Sequence, residues 1–195
     1  MSKSLLLVFF FFTSFGFSQA ENIEVILEKG KTIHAKRYSP KRKFLKVKSI
    51  EGERIKLNYE ELNMVRYTLT HGKDVDTIVK QYVRTSEKKG QLMKRIVSGK
   101  CNIYEHSKGS NNYIPSFDIN YNPGFVINYY AVKNQRKDQI AQKIYHSGFN
   151  IIRSKANKLS TFFKDCPKVT SRIKNINSSK DFIAFVEYYN QVCDD

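Results

Sequence analysis

The chain has 195 residues, with 34 lysines and arginines against 18 acidic residues and a formal net charge of +16. That length suits one domain or two small ones sharing a core. So large a positive excess favours contact with anionic surfaces, namely lipid headgroups, acidic polysaccharides or nucleic acid. Three cysteines without any C-x-x-C spacing argue against the common dithiol and zinc motifs.

The first element in chain order is an export signal. Lys3 gives a short charged start, Leu5 to Phe12 contains no polar residue, and Ser18 and Ala20 supply small residues before Glu21. Charged start, apolar middle and small-residue end predict a cleavable signal over residues 1–20, with a cut after Ala20 or, alternatively, after Ser18. The apolar run falls well short of the ~20 residues that span a bilayer. No cysteine stands at the cut, which argues against a lipid-anchored form. The expected location is therefore periplasmic or secreted, with no transmembrane segment in the mature chain and no nucleic acid as the natural target.

Residues 21–70 predict an antiparallel β-meander. Ile23, Val25 and Leu27 alternate with more polar neighbours, Lys29-Gly30 turns, and Ile33 and Ala35 continue. Leu45 and Val47, then Ile55, Leu57 and Tyr59, then Val65 and Tyr67 extend the pattern, with Glu51-Gly52 as a further turn. Short strands with one apolar face each suggest a sheet covered on that side only, either a plain meander or one curled into a small open barrel.

Residues 71–148 predict a mixed α/β region with a second small sheet. Asp76 to Arg84 fits a helical turn or a strand equally, and Gln91 to Val97 carries Leu92, Met93, Ile96 and Val97 at helical spacing before Gly99. Cys101 to His106 and Phe125 to Val132 are strand-like, separated by turn signals at Ser107–Asn112 and Asn122-Pro123-Gly124. Lys137 to Tyr145 suits either state.

Residues 149–195 predict a helical cluster. Ile152, Ala156, Leu159, Phe163 and Cys166 form one stripe, which Pro167 ends. Val169, Ile173 and Ile176 give a second, shorter stripe. Ser178 and Asp181 have capping-box spacing, and Phe182, Phe185, Val186, Tyr189 and Cys193 line one side of the last helix. Cys166 and Cys193 each sit on the apolar stripe of their helix, so both face one core and a disulfide between them is expected.

Chemistry-bearing motifs are sparse. Cys101 and His106 lie an odd number of residues apart on a strand and so face opposite sides, which makes Cys101 a core residue rather than an activated nucleophile. His34, His71, His106 and His146 are scattered, with no second ligand at i+2 to i+4, so no metal or cofactor is expected. No nucleophile elbow, phosphate loop or dinucleotide fingerprint occurs. The densest cationic stretch is Lys36, Arg37, Lys41, Arg42, Lys43, Lys46 and Lys48, turning at Ser39-Pro40. A hairpin so charged is the candidate anion-binding segment, although lysines alternating along an exposed strand also discourage edge aggregation. Asn177-Ser178-Ser179 fits a glycosylation sequon, relevant only in a eukaryotic host.

Phe163-Lys164-Asp165-Cys166-Pro167 and Tyr188-Tyr189-Asn190 followed by Cys193 resemble the ending of a group of exported Bacteroidetes proteins, an aromatic-x-D-C-P element and a YYN-x-x-C close. Gly99-Lys100-Cys101-Asn102-Ile103-Tyr104 resembles their central G-K-x-x-L-Y strand, with Cys101 where an apolar residue is usual. The resemblance implies export and shape, without an activity. The expectation is an α+β exported protein acting as a non-enzymatic binding or envelope-associated module. Its partner would be an anionic envelope surface, a polysaccharide or another envelope protein. A small envelope hydrolase with dispersed catalytic residues is the alternative.

Overall fold

Alternation from Ile23 to Tyr67 becomes five strands: β1 (Ala20–Leu27), β2 (Thr32–Pro40), β3 (Phe44–Ser49), β4 (Arg54–Asn58) and β5 (Leu62–His71). Gly30 and Gly52 take φ of +80° and +96° at two of the turns, a backbone region that penalises any Cβ. The computed structural model describes residues 20–71, 73–108, 126–133, 139–147 and 152–193. The expected signal peptide, apart from Ala20, lies outside these residues, as do the turn at 122–124 and most of the loop from Ser107.

Five more strands follow: β6 (Asp74–Ser86), β7 (Lys89–Val97), β8 (Cys101–Lys108), β9 (Val126–Lys133) and β10 (Gln142–Ser147). They extend the first five instead of making the second small sheet expected from sequence. One ten-stranded sheet runs in the order β10-β9-β8-β7-β6-β5-β1-β2-β3-β4. Every pairing among the described strands is antiparallel. β5 passes back over its own meander to pair with β1, which leaves β4 and β10 as the two edges.

The helix expected at Gln91–Val97 is strand β7. Its consecutive apolar residues arise because both faces of the sheet are covered there. Leu92, opposite Tyr82, packs towards the first core, while Met93 joins a small cluster with Val83, Tyr104, Val132 and Ala141 on the other face. A register shift between Arg95 and Val97 then turns Val97 to the helix side. A bulge of this kind imitates helical spacing in the sequence. The undecided stretches resolve as strands as well, β6 over the whole of Asp76–Arg84 and β10 from Gln142.

Two cores lie along one face of this sheet. Over β1–β6 the first gathers Val25, Leu45, Val65, Tyr67, Leu69 and Ile78. Over β7–β10 the second gathers Val97, Cys101, Ile103, Tyr129 and Ala131 under the helices α1 (Ile152–Phe162), α2 (Pro167–Thr170) and α3 (Ser179–Val192). The second apolar stripe is split: Val169 sits in α2 and Ile173 in a short 3-10 turn (Ile173–Asn175), both buried. Helix α3 opens with the expected capping box. The Asp181 amide donates to Ser178 Oγ at 3.1 Å and the Ser178 amide to Asp181 Oδ2 at 2.9 Å.

Candidate functional site: a cationic sheet face

The basic segment expected from sequence spans β2, the connection after it, and β3. On β3, Leu45, Val47 and Ser49 are buried, so Lys46 and Lys48 point to the uncovered face with Phe44. Register then decides which cations meet. Arg37 of β2 lies opposite Lys48, and Lys48 opposite Arg54 of β4; Lys46 lies opposite Lys56. Five cations thus occupy two rows, with strands ~4.8 Å apart and same-face residues ~7 Å apart along each strand.

Arg54 and Lys56 were not singled out by sequence reading. The signal was available in the alternation of β4, but it needs the pairing register to become a surface. Lys41, Arg42 and Lys43 sit exposed in the β2–β3 connection, beyond the rows. That connection is held by the Lys41 amide donating to Phe44 O at 2.9 Å and by the Tyr59 hydroxyl donating to Lys41 O at 2.7 Å. Lys36 is exposed at a register shift between Ala35 and Arg37 and stands apart from the rows.

Like charges directly opposite each other destabilise a sheet, by roughly 0.2–1 kcal/mol per pair. Arg66–Glu24 and Lys133–Asp165 are ion pairs among the described residues, and neither lies in this patch. Lys56 has instead the Phe44 ring, 5.7 Å from its Nζ. The patch is therefore a concentration of positive charge that the fold itself does not neutralise.

The residues that carry the C-terminal resemblance do meet, and what they build is a structural latch. β7 ends at Val97, which pairs with Ile103, so the outer edge of Cys101 has no strand beside it. Asn190 of α3 takes that place. The Cys101 amide donates to Asn190 Oδ1 at 2.8 Å, and Asn190 Nδ2 donates to Cys101 O at 3.0 Å. A Cβ on Gly99 would lie 2.5 Å from Asn190 Nδ2, which is why a glycine stands there. Lys100 Nζ donates to Cys193 O. Lys133 donates to Asp165 Oδ1 and to Phe162 O, and the Tyr189 hydroxyl donates to Asp165 Oδ2 at 2.6 Å. Burial works against the Asp165 carboxylate, but the Lys133 and Tyr189 hydrogen bonds outweigh it and hold its pKa below the ordinary value. Cys166 and Cys193 are joined by the expected disulfide, with Cα atoms 6.0 Å apart.

Cys101 is fully buried, and burial pushes its thiol up to about 12, with Lys133 pulling the other way. A thiol so placed is held in its protonated form at neutral pH, whereas the thiolate is the nucleophile. Burial also raises the Glu105 carboxyl, against the pull of Lys94 opposite it. A cavity of about 80 Å³ between β10 and the helices is lined by Tyr145, Ala156, Leu159, Ile173, Lys174, Ile176 and Asn177. Among the described residues no carboxylate or histidine lines it. Among the described residues no three His, Cys, Asp or Glu side chains gather, and no helix is long and apolar enough to cross a membrane. Compared with family models, curated proteins and solved structures, the chain matches none of them.

Proposed function

We propose that this is an exported, non-enzymatic binding module that docks on the anionic lipid headgroups of an envelope surface through the outer face of β2–β4, at one edge of a curl that we read as a small open barrel. The observation that carries this reading is the pair of cation rows, Arg37–Lys48–Arg54 and Lys46–Lys56, facing each other without acidic partners. Such an arrangement costs stability in the free protein and is relieved when anions approach. Each lysine or arginine brought to an anionic bilayer contributes ~1 kcal/mol, so the rows together outweigh the repulsion between them. The face of a sheet offers cations in a plane, which suits a headgroup layer better than a groove-bound polymer. Export supports the reading from another side, because a disulfide such as Cys166–Cys193 persists in oxidising compartments.

The experiment is sedimentation of the mature protein with phosphatidylcholine vesicles, with and without phosphatidylglycerol. Binding should require phosphatidylglycerol and weaken as salt is raised. Replacing Lys46, Lys48 and Lys56 with Ala should remove most of it. The same variant should melt at the same temperature or slightly higher, since opposed like charges are removed. Vesicle binding indifferent to these substitutions, or retention by an acidic polysaccharide in place of vesicles, would overturn the proposal.

A further inference from the structure

On the sheet face turned away from the helices, β8, β9 and β10 carry a row unrelated to the cation patch. His106 of β8 lies opposite Asn128 of β9, and Asn128 lies opposite His146 of β10. Directly opposed residues share a face with Cβ atoms ~4.5–5.5 Å apart. Imidazole, carboxamide and imidazole therefore stand side by side on three adjacent strands. Cys101 and Tyr129, one residue out of phase, belong to the helix-side core, which fixes the row on the opposite face.

Asn128 is 2% exposed, and its Oδ1 is buried without a hydrogen-bond partner. An acceptor left in that state costs ~1–3 kcal/mol. Native proteins retain few such groups, and each asks for an explanation, an unfilled ion site among them. The two histidines are half-buried, so the row keeps some access to solvent.

We propose that His106, Asn128 and His146 form a site for a divalent transition-metal ion of the zinc or copper kind. Two imidazole nitrogens and the Asn128 carboxamide oxygen are the protein ligands, and water completes the shell. Imidazoles reaching inward from both flanks span the gap to a shared ion, at metal–nitrogen distances of ~2.0–2.1 Å. Imidazole selects zinc, copper and nickel, whereas calcium and magnesium require sets built of oxygen. Tyr104 and Tyr130 lie two residues along β8 and β9 on the same face, and no carboxylate joins His106, Asn128 and His146 in the row. The ligand set is thus uncharged, which fits an exchangeable site of modest affinity.

The test is calorimetric titration of the mature protein with Zn2+ alone, alongside thermal melts with and without Zn2+. Wild type should bind one Zn2+, ignore Ca2+ and melt higher with Zn2+ present. His106→Ala and His146→Ala should each weaken binding at least ~10-fold, as loss of supporting contacts alone commonly does. His34→Ala should change nothing. Asn128→Asp places a carboxylate on the same oxygen position and should tighten binding. Asn128→Leu should weaken it while leaving the metal-free protein folded and no less stable, because the orphaned acceptor is gone. Three outcomes overturn the site: Zn2+ heat that survives both histidine substitutions, Asn128→Asp binding no tighter than wild type, or no Zn2+ binding by the folded wild-type chain.

Discussion

The two ends of the sheet treat the same residue type in opposite ways. Around β7–β10 two lysines, Lys100 and Lys133, are bound into the fold. Lys133 is paired with Asp165 and lies 4.7 Å from the Phe162 ring centroid, and Lys100 donates to the Cys193 carbonyl. At the β2–β4 edge, five cations are lined up against one another with no acid between them. The apolar cores differ in the same sense. The helix-side core is knitted by ring contacts, Tyr145 stacked on Phe182 at 4.7 Å and Phe163 edge-on to Phe185 at 5.0 Å, and is closed by the disulfide. The first core combines Val, Leu and Ile with two tyrosine pairs, Tyr59 stacked on Tyr82 at 4.2 Å and Tyr38 tilted against Tyr67 at 6.1 Å, and no disulfide closes it. One end gives its polar groups to stability, while the other leaves charge available to a partner, and that contrast is why the proposed docking surface lies at the first end.

Removing the disulfide tests the contrast most severely. The bridge closes a separation of 27 residues, for which loop-closure entropy gives about 3.5 kcal/mol. Replacing Cys166 and Cys193 with Ala should lower stability by that order. Hydrogen exchange should rise first in the helices, with β1–β5 still protected. Equal loss of protection at both ends would mean that the two cores unfold as one unit and that the division drawn here is wrong.

Asn190→Ala comes next. It strips the partner from both backbone groups of a residue that is 0% exposed, Cys101. A cost of about 2–3 kcal/mol is expected, because each buried polar group left unmade costs ~1–3 kcal/mol. Chemical denaturation of the variant measures it, and a loss below ~0.5 kcal/mol would show that water replaces the amide.

The smallest effect is on pH. The Asp165 pKa is held below its ordinary 3.8, so its contribution is complete above that value and is lost as pH falls through the lowered one. With 41% of its side chain exposed, the carboxylate is screened, and under ~1 kcal/mol is at stake. Glu105 works in the opposite sense. Its raised carboxyl favours the fold while protonated, and that contribution fades as pH rises from 4.5 through the raised value. Melts of wild type and Asp165→Asn between neutral and strongly acidic pH should therefore converge at the acid end; parallel curves would show that Asp165 carries no linkage.

Local pattern alone determined a good part of this protein. The strands up to Tyr67, the capping box at Ser178–Asp181, the apolar stripes of the helices and the Cys166–Cys193 pairing were all legible, since each depends on residues a few positions apart or on one face of one element. Burial of Cys101 was legible too, from its phase against His106. The remainder required neighbours distant in the chain. β7 looked helical because both faces of the sheet are covered there, so the alternation that marks a strand is lost. The joining of β6–β10 to β5, and the return of β5 to β1, are choices of pairing that no single strand encodes. Asn190 meets Cys101 across 89 residues. Arg54 and Lys56 join the cation rows, and Asn128 comes to stand between His106 and His146, only through register, because a slip of one residue would send each of these side chains to the opposite face.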